Sequence, residues 1–600
     1  MAAVGGFWWH FGVDVMKTLT RWAAVGLGGL LLVGPVSADE VYRPVVPIVQ
    51  VAHVGEPVSG VAEATYSYVA PPQIDAAGNV LFAAVMEGPG ITYDNNSILL
   101  YGPPGALTIV AREGEQAPGL PEGVYYASVN FFEGVSETGW ITLTAILGGT
   151  GIELDVNDLA VFCGPPGDLQ LVLQAGDPIP EIGPDAVVSA QTMGGCLSDN
   201  GTLFVGGQVV ATGPAYGNKA FWVGSRDDLQ LAAWAGMPVP GCPECQPGVY
   251  MNWLGSLAHN DAGELTFHGA MKGPGIHWLN DGARWFGTPG AFEIMYRERQ
   301  PLPIFGPDAV VGDAFGTGPV MNAHGDRINR LHLFGPGSGI SAANDWVLVV
   351  GSPQPTGIIA RTGDPVPELG EGVYLSGVGS PLINNLRQVI YGVSLDGAIE
   401  YCGATYFGPY DDARLILRDG DPANYFPSGS ILWMTTTMAG AAMNDVGDFV
   451  GRTEVHSAGG EIRNVWWMWH RVTAQLVPLL VHGQEIEGRT VTITPFQSEH
   501  WADTGGADGK PQSFNDRRQL VTKLRFTDGT SGIYLIGPPQ LGDIDGDGQV
   551  TAVELAAFGD CETEAGGVLS AGCEALDLSL DGAIDLVDFR MLQGMVGEYR

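Results

Sequence analysis

One turn motif recurs along this chain at nearly constant spacing, and that repetition limits the fold more than any other feature. Its first positions fall at Asp75, Ser136, Ser198, Asn260, Asn322, Asn384, Asn444 and Asn515, separated by 61, 62, 62, 62, 62, 60 and 71 residues. Six of these turns carry Gly three residues on, whereas Arg387 and Arg518 take that place in the other two. Two more anchors keep step. An Asn precedes a strand at Asn96, Asn157, Asn218, Asn280, Asn344 and Asn464, and a G-D-P-like turn starts at Gly55, Gly114, Gly176, Gly236, Arg299, Gly363, Gly420 and Gly483. Asn, Asp and Ser cap such turns through a side-chain oxygen, Gly supplies the positive φ, and Pro ends a strand ladder. An excess of 89 Gly and 41 Pro in 600 residues is this turn chemistry repeated.

Between the anchors lie short apolar runs. In the second unit GVYYASV, WITLTAIL, LAVFCG and LQLVLQAG give four strands. Four short antiparallel strands cannot bury both faces alone, so the units must stack, either as an open solenoid or as a closed ring of blades. The ends of the array decide between them. Residues 45–53 (VVPIVQVAH) form a strand lacking a partner upstream, and residues 532–537 (GIYLIG) form one lacking a partner downstream. Each supplies what the other lacks, and closure removes two raw sheet edges. The expected architecture is all-β, an eight-bladed β-propeller over 39–540 closed by an N-terminal strand, followed by a small α-helical domain.

The N-x-x-G turn, the apolar strand after it (Val80–Phe82, Ile141–Leu143, Leu203–Phe204, Leu265–Phe267) and the closing G-D-P turn resemble the tandem NxxGxxAF repeat proteins of bacterial secretomes. That resemblance implies a secreted protein with a C-terminal sorting or anchoring module. It brings no catalytic residue with it.

The address is read from the amino terminus. Residues 16–21 (MKTLTR) form a basic region, 22–34 an apolar one, and Val36-Ser37-Ala38 a small-residue cleavage site. Residues 1–38 are therefore expected to be a signal peptide with Met16 as its start, and the protein secreted, extracellular or at the cell surface. The apolar run is shorter than the ~20 residues a spanning helix needs, so no membrane span is expected in the mature chain. Cleavage removes only Asp14, Lys17 and Arg21 among charged residues, which takes the net charge from −39 for the whole chain to −40 for the exported part. Such acidity excludes a nucleic-acid partner. Of the seven cysteines, Cys242 and Cys245 read as a loop disulfide rather than a metal or redox site, Cys561 and Cys573 as a second disulfide, and Cys402 as a free buried thiol.

Chemistry concentrates at the carboxyl end. The segment Asp543–Glu554 places oxygen donors at positions 1, 3, 5 and 12 (Asp543, Asp545, Asp547, Glu554), a backbone carbonyl at Gln549, Gly548 at position 6 and Val550 at position 8. This is the EF-hand Ca²⁺ loop, which holds the ion with six to eight oxygens. A second loop offers Asp577, Ser579, Asp581, Ala583 and Asp588, and should bind more weakly because Ser579 and Asp588 replace longer or charged donors. Two loop–helix units within residues 541–600 resemble a type I dockerin. The resemblance implies docking to a cohesin-like or cell-surface protein, although the apolar Ala552-Val553 and Leu586-Val587 depart from the polar residues dockerins use there.

No H-E-x-x-H or G-x-S-x-G motif occurs, and no catalytic residue is assigned. Glu499, His500 and Asp503 form the densest polar triplet, read as a solvated loop, and Trp466, Trp467 and Trp469 read as strand alternation or a sugar platform. The favoured function is a non-enzymatic binding or display propeller assembled through Ca²⁺, with carbohydrate a candidate ligand. The alternative is an extracellular carbohydrate-active enzyme, an O-glycosyl hydrolase or other component of polysaccharide degradation.

Overall fold

The repeated turns form because their first side chain accepts the backbone N–H four residues on, at 2.7–3.2 Å in all eight (Asp75, Ser136, Ser198, Asn260, Asn322, Asn384, Asn444 and Asn515). The fourth residue takes positive φ whether it is Gly, as at Gly78 (88°), or Arg, as at Arg387 (61°) and Arg518 (59°). Each turn therefore closes a hairpin by the same geometry despite the change of residue.

The structure, a computed structural model, describes residues 46–596 apart from 212–217, 314–319, 352–355, 398, 401, 424–425, 434–438, 472–473, 494–511, 539–541, 543–549, 563–572, 574–575, 577 and 579–583. The candidate signal peptide and the Glu499, His500, Asp503 triplet lie outside the described residues.

The strands form eight antiparallel sheets of four or five strands, the blades of an all-β eight-bladed propeller. In blade 2 the strands Val124–Val135, Ile141–Gly149, Leu159–Gly164 and Gln170–Gln174 run in sequence order across the sheet. Leu159–Gly164 is buried throughout while Gln170–Gln174 is half-exposed, because the middle of a blade is covered on both faces and its edge is not. That two-sided cover explains unbroken apolar runs where a half-wet sheet would alternate. The Pro of the G-D-P turn then bridges to the first strand of the next blade, as in Pro178 with Val187 and Pro365 with Tyr374.

Hydrophobic cores sit between blades. Leu81 and Leu99 of blade 1 cluster with Ile141 and Phe162 of blade 2, and Val161 and Cys163 of blade 2 with Leu203 and Trp222 of blade 3. The same pattern joins Ile74 and Phe82 of blade 1 to Val521 and Ile533 of blade 8. Ile48–His53 pairs antiparallel with Ser531–Ile536, Ile48 opposite Ile536 and His53 opposite Gly532, so the first strand lies at the edge of the sheet built by the last repeat.

Beyond the blades are two helices, α1 (Ala552–Cys561) and α2 (Leu586–Met595), each opened by a capping box, Thr551 with Glu554 and Asp585 with Asp588. Val550, Phe558, Leu576, Ile584, Leu592 and Met595 form their small core. Disulfides join Cys242 to Cys245 and Cys561 to Cys573.

Two expectations need correction. Cys402 is exposed, and the buried thiol is Cys163 in the middle strand of blade 2. Trp466 and Trp467 are 5% and 1% exposed and lie in the core, with Trp467 Nε1 donating to Thr453 Oγ1 at 2.8 Å, so they offer no platform to a sugar.

Candidate functional site

The eight turns do not stand apart. In blades 4 to 8 the Asn that caps its own turn also turns its Nδ2 onto a carbonyl of the next turn round the ring: Asn260 onto Ala323 (3.4 Å), Asn322 onto Asn384 (3.1 Å), Asn384 onto Asn444 (3.0 Å), Asn444 onto Asn515 (3.2 Å) and Asn515 onto Asp75 (3.0 Å). The last of these passes from blade 8 to blade 1. An amide carries the acceptor for its own turn and the donor for the neighbour on two separate atoms, whereas a serine hydroxyl has one atom for both and a carboxylate has no donor.

The second residue of each turn lies closer to the axis. Its column reads Ala76, Glu137, Asp199, Asp261, Ala323, Asn385, Asp445 and Asp516, five of them acidic. Oxygens of Glu137, Asp199 and Asp445, from blades 2, 3 and 7, lie within 4.8 Å of one another. Blades that far apart in the ring meet only at its centre, so the group marks the axis at the end carrying the turns.

Several of these carboxylates also serve as clasps. Asp445 Oδ1 accepts from Asn385 N and Asp516 Oδ1 from Asp445 N, both at 2.8 Å, while Asp261 Oδ1 accepts from Asn200 N at 3.0 Å. Gln512 Nε2 donates to Glu137 Oε1 at 3.3 Å. Burial, then the negative charges of Asp516, Asp445 and Asp261, pushes the Glu137 carboxyl up to about 7. Burial likewise raises Asp445 to about 6, against the lowering effect of the Asn385 hydrogen bonds. Crowded carboxylates in a dry place favour protonation or a cation.

Beside the axis, Asp261 and Asn200 also line a cleft of about 490 Å³ with Trp140, Thr202 and Arg226. The Arg226 guanidinium lies 5.1 Å from the centre of the Trp140 ring and pairs with Asp168 at 3.1 Å. At the loops that follow the second strand of a blade, Tyr93 (92% exposed), Leu154 (77%) and Trp278 (79%) stand out in blades 1, 2 and 4.

None of the axial carboxylates stood out in a linear reading, because each sits in an ordinary polar turn. Their signal is vertical: aligning the repeats at their first anchor exposes an acidic column that no single repeat reveals.

Of the residues expected to hold Ca²⁺, Asp543, Asp545, Asp547, Gln549, Asp577, Ser579, Asp581 and Ala583 lie outside the described residues. Glu554 and Asp588, the last donors of the two loops, are both fully buried at the starts of α1 and α2. Glu554 Oε2 accepts from Thr551 N (2.6 Å) and Thr551 Oγ1 (2.9 Å), whereas Glu554 Oε1 is buried and accepts no hydrogen bond among the described residues. Val550 and Ile584, at position 8 of each loop, share one core. Far from this module, the Cys242–Cys245 disulfide adjoins Arg297, whose Nη1 lies 3.5 Å from Cys242 Sγ and 3.1 Å from Glu244 Oε1.

Comparison with known proteins places residues 46–343 and 338–537 under one family model, described as a family of unknown function (DUF7453). No curated protein matches the chain. Solved structures similar to it include the β-propeller domain of the Trilobed protease from Pyrococcus furiosus, 8% identical, covering 68% of this chain and 96% of that one at a TM-score of 0.30. The Dos1 propeller is 10% identical, covering 67% and 78% at 0.29. The Penicillium chrysogenum alpha-L-arabinanase complexed with arabinobiose is 10% identical, covering 62% and 100% at 0.22. Likenesses this distant carry no functional argument.

Proposed function

The chain belongs to the DUF7453 family of unknown function, and from that premise we propose that it is an exported, non-enzymatic binding or display propeller, assembled through a C-terminal Ca²⁺-dependent module. The observation that carries the module is Glu554. A fully buried carboxylate with one oxygen holding a helix cap and the other without a hydrogen bond among the described residues is unfavourable unless a cation takes up the second. Its place as the twelfth residue of an Asp-rich loop is where an EF-hand supplies its carboxylate oxygens to Ca²⁺. The ion would be held by Asp543, Asp545, Asp547, the Gln549 carbonyl and Glu554, and more weakly by Asp577, Ser579, Asp581, the Ala583 carbonyl and Asp588. It neutralises the loop carboxylates so that the two helices fold together.

The dockerin-like pattern supports a cohesin-like or cell-surface partner for residues 541–600, and the signal-like residues 16–38 support export. We read Ile48–His53 as the strand that locks the ring. Exposed Tyr93, Leu154 and Trp278 on corresponding loops support a ligand-binding face, with aromatic rings suited to stacking on a sugar.

A second reading, a carbohydrate-active enzyme, is favoured by one observation, the raised carboxyls of Glu137 and Asp445. Against it, their oxygens are closer than the ~5 to 9.5 Å that separates glycosidase carboxylates flanking a substrate. A glycan array on the mature chain tests both: binding without release of reducing ends, lost in Tyr93→Ala/Trp278→Ala, fits the display reading. Release of reducing ends that stops in Glu137→Gln establishes the enzyme instead. For the module, Glu554→Gln should abolish the Ca²⁺-dependence of the smaller thermal transition, and an unchanged dependence sinks it.

A further inference from the structure

The carboxylates of the axial ring are not balanced alike. Asp445 and Asp516 take backbone hydrogens from neighbouring turns, and Arg518 contributes positive charge near Asp516. The charges acting on Glu137 are those of Asp516, Asp445 and Asp261, all negative. Yet Glu137, Asp199 and Asp445 bring oxygens within 4.8 Å of one another. Three ionised carboxylates at that separation repel, and a proton or a cation held among them relieves the repulsion.

An independent observation points the same way. Gln512, only 2% exposed, is anchored through Nε2 to Phe514 O (3.2 Å) and to Glu137 Oε1 (3.3 Å). Its Oε1, on the same amide group that touches Glu137, is buried and accepts no hydrogen bond among the described residues. A buried amide oxygen left unbonded loses its hydration without compensation. The amide that carries it adjoins the carboxylate cluster through Glu137, and a cation there satisfies both.

We propose that Glu137, Asp199 and Asp445, with the Gln512 amide oxygen, form a Ca²⁺ site on the propeller axis, distinct from the C-terminal loops. The donor set is oxygen alone, which selects a hard cation over zinc or copper. At Ca–O distances of ~2.3 to 2.6 Å, oxygens up to about 5 Å apart belong to one coordination shell. Three carboxylates and an amide oxygen suit Ca²⁺, because Mg²⁺ keeps several waters and takes only one or two protein carboxylates. The ion ties blades 2, 3 and 7 to the residues entering the turn of blade 8. It spans the side of the ring where Asp75, Ser136 and Ser198 lack the amide donor that links the other turns.

The test uses the full chain, with Ca²⁺ alone as the probe, and combines ion counting by native mass spectrometry with thermal unfolding. The wild type should show a Ca²⁺-dependent rise in the main, propeller transition. Glu137→Gln/Asp445→Asn should hold one ion fewer per chain and lose that rise, while Glu554→Gln keeps it. An unchanged ion count in the double variant, or a wild-type propeller transition indifferent to Ca²⁺, overturns the site. Should the double variant fail to fold, Asp199→Asn decides by chelator competition: a tenfold or greater loss of affinity at one site supports the proposal, and unchanged affinities at all sites contradict it.

Discussion

The two sides of the ring are fastened by different chemistry. From blade 4 round to blade 8, one Asn per turn caps its own hairpin and reaches the next blade, so each joint is closed by a neutral amide. In blades 1 to 3 the same position is Asp75, Ser136 or Ser198, which caps equally well but has no second arm. There the joints rest on other groups: Ala76 N on Glu137 O, Val135 N on Gln73 Oε1, and Asn200 N on Asp261 Oδ1. The Asn side is thus self-sufficient, and the Asp/Ser side shares an axis with carboxylates that call for a cation. A repeat can therefore keep its backbone while exchanging the means by which it is joined.

The largest effect expected from breaking a joint is at Arg518. It stands where other turns have Gly, at a positive φ that costs a non-Gly residue roughly 1–2 kcal/mol. In return its Nε donates to Asp448 of the preceding blade at 2.6 Å, with both side chains buried. Arg518→Ala leaves the buried Asp448 charge without its guanidinium, although Asp448 Oδ1 still accepts from Arg471 N at 2.8 Å, and should lower stability by about 3–5 kcal/mol in chemical denaturation.

Next come the turn residues themselves. Asn384→Ala removes three hydrogen bonds and leaves the Asn444 carbonyl without its amide donor, a loss of about 2–3 kcal/mol. Ser198→Ala, on the other side, removes one cap and should lose about 1 kcal/mol. Equal losses at the two positions would erase the distinction between the sides.

Acid should act through the Asn side as well. Burial, reinforced by Arg518 and Arg471, holds His470 down to about 3, and burial with Arg284 and Lys219 holds His268 down to about 4. Both are neutral when folded and must take up protons on unfolding. Their contribution is full above the ordinary pKa of ~6.5 and is lost as pH falls towards 3–4, with a slope of about 1.4 kcal/mol per pH unit for each proton. Denaturation midpoints measured between pH 7 and 4 should therefore fall less steeply in His470→Phe than in the wild type.

The smallest effect is expected at Arg387, the other Arg in a Gly position. Its pair with Asp326 at 2.8 Å is exposed on the Arg side, and Arg387→Ala should cost less than about 1 kcal/mol. Arg387 and Arg518 share a turn type and differ by burial alone.

How far the fold was legible follows from where the signal lay. The blade count and strand order were readable because turn residues repeat at a fixed period and a blade has a fixed number of strands. Burial of single residues was less so: Cys402 was expected inside and is exposed, because its place in the short 402–409 segment depends on the neighbouring blade and not on local pattern. Trp466 and Trp467 were ambiguous for the same reason, since both faces of a blade are covered. Arg518 gives no sign in one repeat of a partner 70 residues away, and Gln512 belongs to no anchor. The axial carboxylates needed the repeats set side by side. At the C-terminal module the pattern itself picked out Glu554 and Asp588, which the structure buries in the capping boxes of the two helices, because a loop running into a capped helix is local in sequence.

The most direct test is crystallographic: crystals of the mature chain grown in Ca²⁺, with anomalous differences measured at long wavelength. The account predicts a peak on the axis of eight blades, among the oxygens of Glu137, Asp199 and Asp445. An ordered ring whose axis holds no such peak, with those carboxylates bonded to each other or to solvent, would contradict it.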